Sequence, residues 1–221
     1  MFAALKVPVV AAYMLAAFGA CKAPASATFD FKFDMLAPIF HFDRTSDELE
    51  KMKGAHEGAG RIGGLTNNER LSSLNIVSAE TPQVFGDDYC HWPTSVTLRI
   101  TLRPTVWVAS QYAKGSCRYN VAYVHEMMHV KIARDTLSEL MPGIERLLRA
   151  HVAALGALGP MPEGSLDAAK QKQLGEIQAA LDGALQRADM VLDLRQARID
   201  TPYAYEQASR ACPAEGEWGR R

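Results

Sequence analysis

The 221-residue sequence has no strong charge of either sign, no long apolar run and no closely spaced pair of cysteines. Its 24 Lys and Arg are balanced by 25 Asp and Glu, so no overall field would attract it to nucleic acid or to acidic lipid. The N-terminal apolar stretch, Val7 to Ala20, has about 14 residues, whereas a membrane-spanning helix needs roughly 20. Without a CxxC pair a cysteine zinc knuckle is not expected, and without GxSxG a serine hydrolase is disfavoured. At 221 residues the chain is long enough for one domain of ordinary size, so we expect a single compact domain.

The N terminus has the pattern of an export signal. Lys6 provides a basic start, the apolar stretch follows, and Ala25-Ser26-Ala27 is a small-residue cleavage site. The sequence therefore predicts a signal peptide at residues 1–27, a mature domain at residues 28–221, and a secreted or periplasmic location. A buried core helix is the alternative interpretation of the apolar stretch.

The four cysteines are expected to meet an oxidising environment, in which disulfides persist. Cleavage after residue 27 leaves Cys90, Cys117 and Cys212, an odd number. We expect a bridge between Cys90 and Cys117, which flank a predicted hairpin, adding roughly 3 kcal/mol of stability in the loop-entropy model. Three buried thiols are the alternative. The residues before Cys21, Phe18-Gly19-Ala20, loosely resemble a lipoprotein cleavage box, and only lipidation at Cys21 would hold the protein on a membrane.

Hydrophobic periodicity predicts strands in the first half of the chain and helices in the second. The predicted elements are a strand over 28–34, a short helix from the Thr45/Glu48 capping box to Gly54, a glycine-rich loop over 54–64, a strand pair over 96–102 and 106–108, helices over 119–140, 144–155 and 165–198, and an irregular tail from Asp200. Arg103-Pro104 separates the paired strands, Pro142-Gly143 separates the first two long helices, and Gly159 to Gly164 is a predicted turn. Together they predict an α+β domain with a small antiparallel sheet, a helix beneath it and two further C-terminal helices.

The first long predicted helix contains the sequence His125-Glu126-Met127-Met128-His129, an HExxH motif. Residues four apart lie on the same helix face, so both imidazoles are able to bind one Zn²⁺ ion. Glu126 is rotated about 100° from His125, which places its carboxylate beside the metal. A zinc-bound water has its pKa lowered toward about 7, and Glu126 is the expected general base that accepts its proton. Two histidines with purely structural roles are the alternative.

The residues around this motif resemble a known family. The stretch from Gly115-Ser116-Cys117-Arg118-Tyr119 through His129-Val130 is similar to the predicted secreted zinc-dependent proteases of bacteria, and the similarity covers roughly Cys90 to Leu140. Ile199 to Pro202, Tyr205 and Cys212 resemble the family more weakly. The resemblance implies a zincin-like or gluzincin-like fold, with His125 and His129 as metal ligands and Glu126 as the catalytic carboxylate.

The third zinc ligand is left open by the sequence. Asp135 lies six residues after His129, where metzincins carry their third ligand, but Ile132 stands at the position of the metzincin glycine turn. If the C-terminal segment folds over the cleft, Asp200, Tyr205 or Glu206 is the alternative ligand, or Tyr205 is a candidate to stabilise an oxyanion. Other candidates are Glu139, Glu145 and His151 as ligands, and Asp189, Asp193 and Asp200 as partners of the imidazole N–H groups.

These observations predict a secreted or envelope zinc metallopeptidase that hydrolyses peptide or amide bonds. Its expected partners are a peptide or protein substrate and not nucleic acid. The alternative is a catalytically silent envelope protein or lipoprotein in which the HExxH motif is a structural or vestigial metal site.

Overall fold

The computed structural model describes residues 21–53, 63–83 and 87–212. Its elements, in chain order, are β1 (Thr28–Met35), β2 (Ile39–His41), α1 (Ser46–Lys53), β3 (Gly64–Pro82), β4 (Asp88–Val108), α2 (Cys117–Leu155), β5 (Leu158–Pro162), α3 (Glu163–Ala197) and α4 (Pro202–Ala211). Most of the predicted signal peptide and most of the predicted glycine-rich loop lie outside the described residues. The architecture is α+β, as predicted.

The sheet is built around β4. Strand β3 pairs antiparallel with β4 from Gly64 opposite Val108 to Pro82 opposite Tyr89. On the other side of β4 lie β1 and β2, both parallel to it, and the short antiparallel β5. The sheet is therefore mixed, and the prediction of an antiparallel sheet was wrong for β1 and β2.

Strand β4 runs without interruption through Pro104, so the predicted strand pair over 96–102 and 106–108 is a single strand. Leu102 accepts a hydrogen bond from the backbone N–H of Leu36, on the side of β1, and alternate residues of a strand face the same neighbour. The nitrogen of Pro104 therefore faces the gap where pairing with β1 has ended and pairing with β2 has not begun. Because no ladder bond is lost there, the proline does not end the strand.

Helix α2 also continues through a proline, and the two helices predicted over 119–140 and 144–155 are one. Ser116 caps its N terminus, where its hydroxyl oxygen accepts from the backbone N–H of Tyr119 at 3.2 Å. Pro142 lacks the N–H that would bond to residue 138. Burial of Leu137, Ile144 and Leu148 along one face continues across the proline and maintains the helix.

The main core lies between one face of the sheet and helices α2 and α3. Its buried members are Val96, Leu98 and Ile100 of β4, Ile144, Leu148 and Val152 of α2, and Ile177, Leu181, Ala184 and Leu185 of α3. All three α2 members of this core come from the second half of the helix. The first half carries the HExxH motif and lies beside Gly64, the first residue of β3.

Five further predictions are tested by the structure. The strand over 28–34, the capped helix that begins after Thr45 and the helix over 165–198 are confirmed within a few residues. The predicted turn over 159–164 is wrong, because β5 pairs there with the start of β4. The predicted irregular tail is wrong as well: Pro202 starts helix α4, and the Thr201 hydroxyl accepts from the backbone N–H of Ala204 as its cap.

Two disulfides are present, Cys21–Cys90 and Cys117–Cys212. The predicted Cys90–Cys117 bridge is wrong, because β4 from Cys90 to Val108 is roughly 60 Å long at 3.3 Å per residue and places these cysteines at opposite ends. A chain cut after residue 27 would lack Cys21, and a lipidated Cys21 would have no thiol for the bridge. Disulfides are typical of proteins from oxidising compartments. In the described part of the chain, no helix has the length and apolar character needed to span a membrane.

Candidate metal centre

Helix α2 brings the two motif histidines together. His125 and His129 lie one turn apart on the same face, with ring centroids 4.9 Å apart and rings nearly perpendicular. Their Nε2 atoms are 3.2 Å from each other. His129 is buried, whereas His125 is partly exposed. Two imidazole nitrogens therefore converge on one point, as the motif predicted.

Asp200 completes this cluster from outside α2. Its Oδ1 atom lies 3.0 Å from Nε2 of His125 and 3.1 Å from Nε2 of His129. With the 3.2 Å between the two nitrogens, the three atoms form a nearly equilateral triangle. Ligand atoms of a tetrahedral zinc, with bonds of about 2.0 to 2.1 Å, lie about 3.3 Å apart. The donor set and its spacing therefore fit three of the four positions around zinc.

Asp200 is positioned by the junction between α3 and α4. The backbone N–H of Ile199 donates to the carbonyl of Gln196 at the end of α3, and α4 begins two residues after Asp200. The hydroxyl of Tyr205, on the first turn of α4, donates to Oδ1 of Asp200 at 2.9 Å. Lys53 forms an ion pair with Oδ2 at 3.5 Å.

Gln196 determines which nitrogen of His129 is free to bind metal. Its side-chain carbonyl oxygen contacts Nδ1 of His129. Because a carbonyl oxygen only accepts, Nδ1 carries a proton, and Nε2, which faces Asp200, is the nitrogen left to bind a metal. A metal-binding histidine is commonly held by such a partner on its second nitrogen.

The cluster also shifts the pKa values of its members. Burial alone raises the pKa of Asp200, but the hydrogen bonds from His125 and His129 outweigh it and hold the pKa well below its usual range. Burial alone lowers the pKa of His129, whereas the hydrogen bond to Asp200 and the charge of Glu126 raise it overall. The aspartate is therefore a carboxylate at neutral pH, the form that binds a cation.

Glu126 lies beside the cluster, with its side chain 5% exposed. Burial raises its pKa, despite the opposing charges of the two histidines and the hydroxyl of Thr66. Thr66, on β3, donates to Oε2 of Glu126 at 2.8 Å. The edge of the sheet therefore orients the carboxylate that the motif predicted as a general base.

Gly64 leaves the space that Glu126 occupies. A Cβ atom at residue 64 would lie 2.6 Å from Cγ of Glu126, 2.8 Å from its Oε1 and 2.8 Å from the carbonyl oxygen of Trp107. Real Cβ atoms do not approach other atoms so closely. The start of β3 therefore accommodates the glutamate only because this position lacks a side chain.

The cluster faces a cleft of about 1080 Å³ between β3, α1 and the α3–α4 junction. Its lining includes Lys53, Thr66, Glu126, His129, Asp200 and Tyr205. Burial and the neighbouring Asp200 charge raise the pKa of Tyr205, so its hydroxyl stays protonated at neutral pH. One cleft therefore brings a triad of candidate metal ligands, a buried carboxylate and a hydroxyl donor together.

The other predicted ligands lie outside the cluster. Asp135 is bound by Lys131 at 2.6 Å and by Arg134 at 2.8 Å, and Glu206 pairs with Arg210. Glu139, Glu145 and Asp189 each pair with an arginine, and neither these three nor His151 belongs to the metal-binding group of the described residues. Asp193 lines the cleft, whereas Gln196 is the side chain in contact with the imidazole.

Gly64, Thr66 and Gln196 are among the contributors to the site that were not predicted. Gly64 and Thr66 lie about sixty residues before the motif, and Gln196 lies 67 residues after His129. None of them belongs to a local pattern that indicates a metal site. Only pairing of β3 with β4 and packing of α3 against α2 bring them to the histidines.

Comparison of the chain with protein-family models, curated proteins and solved structures gave no significant match. The resemblance to the secreted zinc-dependent proteases therefore stays a prediction from the motif residues.

Proposed function

We propose that the protein is a zinc-dependent hydrolase of peptide or amide bonds that works outside the cytosol. The observation that carries the proposal is the triangle of donor atoms from His125, His129 and Asp200, with edges of 3.0 to 3.2 Å. Two histidines and a carboxylate are a ligand set used by hydrolytic zinc enzymes, in which the fourth position is left for water. The two disulfides support a location in an oxidising compartment.

The residues around the triad fit the roles that such a reaction needs. Bound zinc would supply a Lewis acid and lower the pKa of a water molecule. Glu126 then accepts the proton of the attacking water and transfers it to the leaving amine; its burial raises its pKa, which favours uptake of the proton. Thr66 keeps the carboxylate in place.

Tyr205 and Lys53 place two hydrogen-bond donors next to Asp200 in the same cleft. The Tyr205 hydroxyl donates a hydrogen bond and stays protonated, and the Lys53 ammonium lies 3.5 Å from Oδ2 of Asp200. Donors in a cleft stabilise the negative charge that develops on a carbonyl oxygen during hydrolysis. We assign Tyr205 this role, as the sequence predicted, and add Lys53 as a second cleft donor.

The test combines metal analysis with turnover of a peptide mixture. The purified protein should hold one zinc per chain, and Glu126→Gln should lower kcat/KM by about 10² to 10⁴ without loss of zinc. Glu145→Gln is the matched control, because it makes the same change on an exposed face of the same helix and breaks only a surface ion pair. Full activity of Glu126→Gln would disprove the mechanism. Stoichiometric zinc without any cleavage by the wild type would support the structural metal site instead.

A further inference from the structure

We propose that Cys117 and Cys212 are positioning residues of the metal centre, and that their disulfide holds Asp200 against the two histidines. Zinc affinity then depends on the oxidation state of this bridge. The inference rests on the zinc site proposed above and adds a redox requirement for its assembly.

The bridge joins the two parts of the chain that supply the metal ligands. Cys117 is the first residue of α2, the helix that carries both histidines, and lies about 12 Å before His125 along the helix axis. Cys212 directly follows α4, and α4 directly follows Asp200 and Thr201. Helix α2, the metal cluster, α4 and the disulfide therefore form a closed ring.

Packing alone holds α4 weakly. None of its described side chains is fully buried, and Tyr203 on its first turn is 69% exposed. By contrast, Cys212 is only 3% exposed, and Cys117 Sγ also lies 3.3 Å from the carbonyl oxygen of Ala211. The end of α4 is therefore fixed mainly by the covalent bond.

Loss of the bridge would leave the segment that contains Asp200 and Tyr205 covalently attached only through the end of α3 and otherwise held by non-covalent contacts such as the Lys53–Asp200 ion pair. Reduction by a phosphine breaks the S–S bond; each sulfur gains a proton, and the phosphine takes up the oxygen of the water that supplied both protons. The two histidines stay on α2 whether or not the bridge is present. We therefore expect the reduced protein to keep a weak two-histidine site in place of the three-ligand site.

The chain contains its own matched control. Cys21–Cys90 is also a long-range bridge, but Cys90 pairs near Pro82 at the end of the β3–β4 hairpin opposite Gly64 and the cleft. The Cys117→Ser/Cys212→Ser and Cys21→Ser/Cys90→Ser variants each lose one disulfide. Only the first loses an attachment of the ligand segment.

The experiment measures the zinc dissociation constant of both double variants and the wild type by competition with a chromogenic chelator. Thermal unfolding is followed separately, because loss of either bridge lowers stability. We expect at least about tenfold weaker zinc binding for Cys117→Ser/Cys212→Ser, the effect typical of losing a group that orients a ligand, and less than about threefold for the control. Equal zinc affinity in the two variants would overturn the inference.

A second measurement needs no variant and covers the case in which the first double variant fails to fold. Zinc-loaded wild type is titrated with a phosphine, and the reduced cysteines are alkylated and identified by mass spectrometry. Zinc release should follow alkylation of Cys117 and Cys212, while far-ultraviolet circular dichroism stays near its starting value. Full retention of zinc after both are alkylated would contradict the inference alone. If the wild type binds no zinc at all, both this inference and the proposed function are wrong.

Discussion

At the scale of the residue, the site shows that position in space, not side-chain type, decides which carboxylate joins the histidines. Asp135 and Asp200 are chemically identical. Asp135 follows His129 by six helical residues, a rotation of 600°, so it lies 240° around the helix from His129 and on a different face. It binds Lys131 and Arg134 on the surface. Asp200 follows α3 and is brought to the histidines by tertiary packing.

The two aspartates provide a test of the ligand set. Asp200→Asn should weaken zinc binding by at least about 100-fold, more than the 10- to 100-fold typical of losing an outer partner of a ligand. Asp135→Asn is the control and should bind zinc like the wild type. Isothermal titration with zinc against a competing chelator measures both constants. The reverse order of effects would restore Asp135 as the ligand.

Gly64 is a residue at which a single methyl group is expected to remove activity. Gly64→Ala places a Cβ atom 2.6 Å from Cγ of Glu126 and 2.8 Å from a backbone oxygen, so the glutamate must move. We expect kcat to fall at least tenfold, since a misplaced general base loses much of its roughly 10² to 10⁴ contribution. Zinc content should not change. Activity is measured with the peptide mixture described above.

Gly175→Ala is the matched control for this substitution. A Cβ atom at Gly175, within α3, meets no atom within 4 Å. Alanine in a helix interior should stabilise the protein by about 0.5 to 1 kcal/mol and leave turnover unchanged. Unchanged activity of Gly64→Ala would show that Glu126 tolerates displacement and does not act as the base.

The burial of His91 predicts that the folded protein loses stability in acid. His91 is 3% exposed on β4, with Glu80 at 3.8 Å and Lys170 and Gln173 nearby. Burial lowers the pKa of His91 in the folded state below the ordinary value. Its contribution to stability is therefore complete above about pH 6.5 and is lost as the pH falls, because the unfolded chain binds the proton more tightly. Urea unfolding at pH 7.5 and pH 5 should show a smaller pH effect for His91→Gln than for the wild type.

At the scale of the element, helix α2 combines two roles along 39 residues. Its second half packs Ile144, Leu148 and Val152 into the main core, and its first half carries the histidines. Because a helix is stiff, core packing far from the site determines the direction in which the imidazoles point. The arrangement of the candidate metal ligands thus depends on continuity of the helix through Pro142.

The substitution Pro142→Ala tests this continuity of helix α2. Pro142 is exposed, so alanine would restore a backbone hydrogen bond without making a cavity. Proline costs about 3 kcal/mol relative to alanine in a helix interior, and its rigidity in the unfolded chain offsets up to about 1 kcal/mol of this. Pro142→Ala should therefore raise the free energy of unfolding by about 1 to 2 kcal/mol in urea denaturation. A destabilised variant would mean that the helix needs a bend at this residue to pack.

At the scale of the whole molecule, the two disulfides connect the ends of the described chain to its middle. Cys21, before β1, is bonded to Cys90 at the start of the longest strand, and Cys212, after α4, is bonded to Cys117 at the start of the longest helix. Each bridge closes a long loop, and such bridges commonly add about 2 to 4 kcal/mol of stability. The arrangement requires Cys21 to remain in the mature chain.

Peptide mapping of the exported protein under non-reducing conditions tests this arrangement. We expect linked peptides that contain Cys21 with Cys90 and Cys117 with Cys212, and an intact mass that places the mature N terminus before Cys21. A mature chain that begins at Thr28 would instead confirm the predicted cleavage site and leave Cys90 without this partner. A mass increase from acyl chains at Cys21 would indicate the lipoprotein.

The sequence by itself determined the parts of this protein that depend on near neighbours in the chain. The HExxH spacing, the β1 alternation, the Thr45–Glu48 cap and the α3 stripe are local patterns, and local backbone geometry converts each into a defined structure. Pro104 and Pro142 led to wrong predictions of a strand break and a helix break. The free-energy cost of a proline depends on what surrounds its missing N–H, and only the sheet and the core determine those surroundings. The contact of Asp200 with His129, the contacts of Thr66 and Gln196 and the disulfide pairing join residues about sixty to ninety-five positions apart. Only the tertiary structure decided these, because long-range contacts follow from the packing of complete elements, which no short pattern specifies.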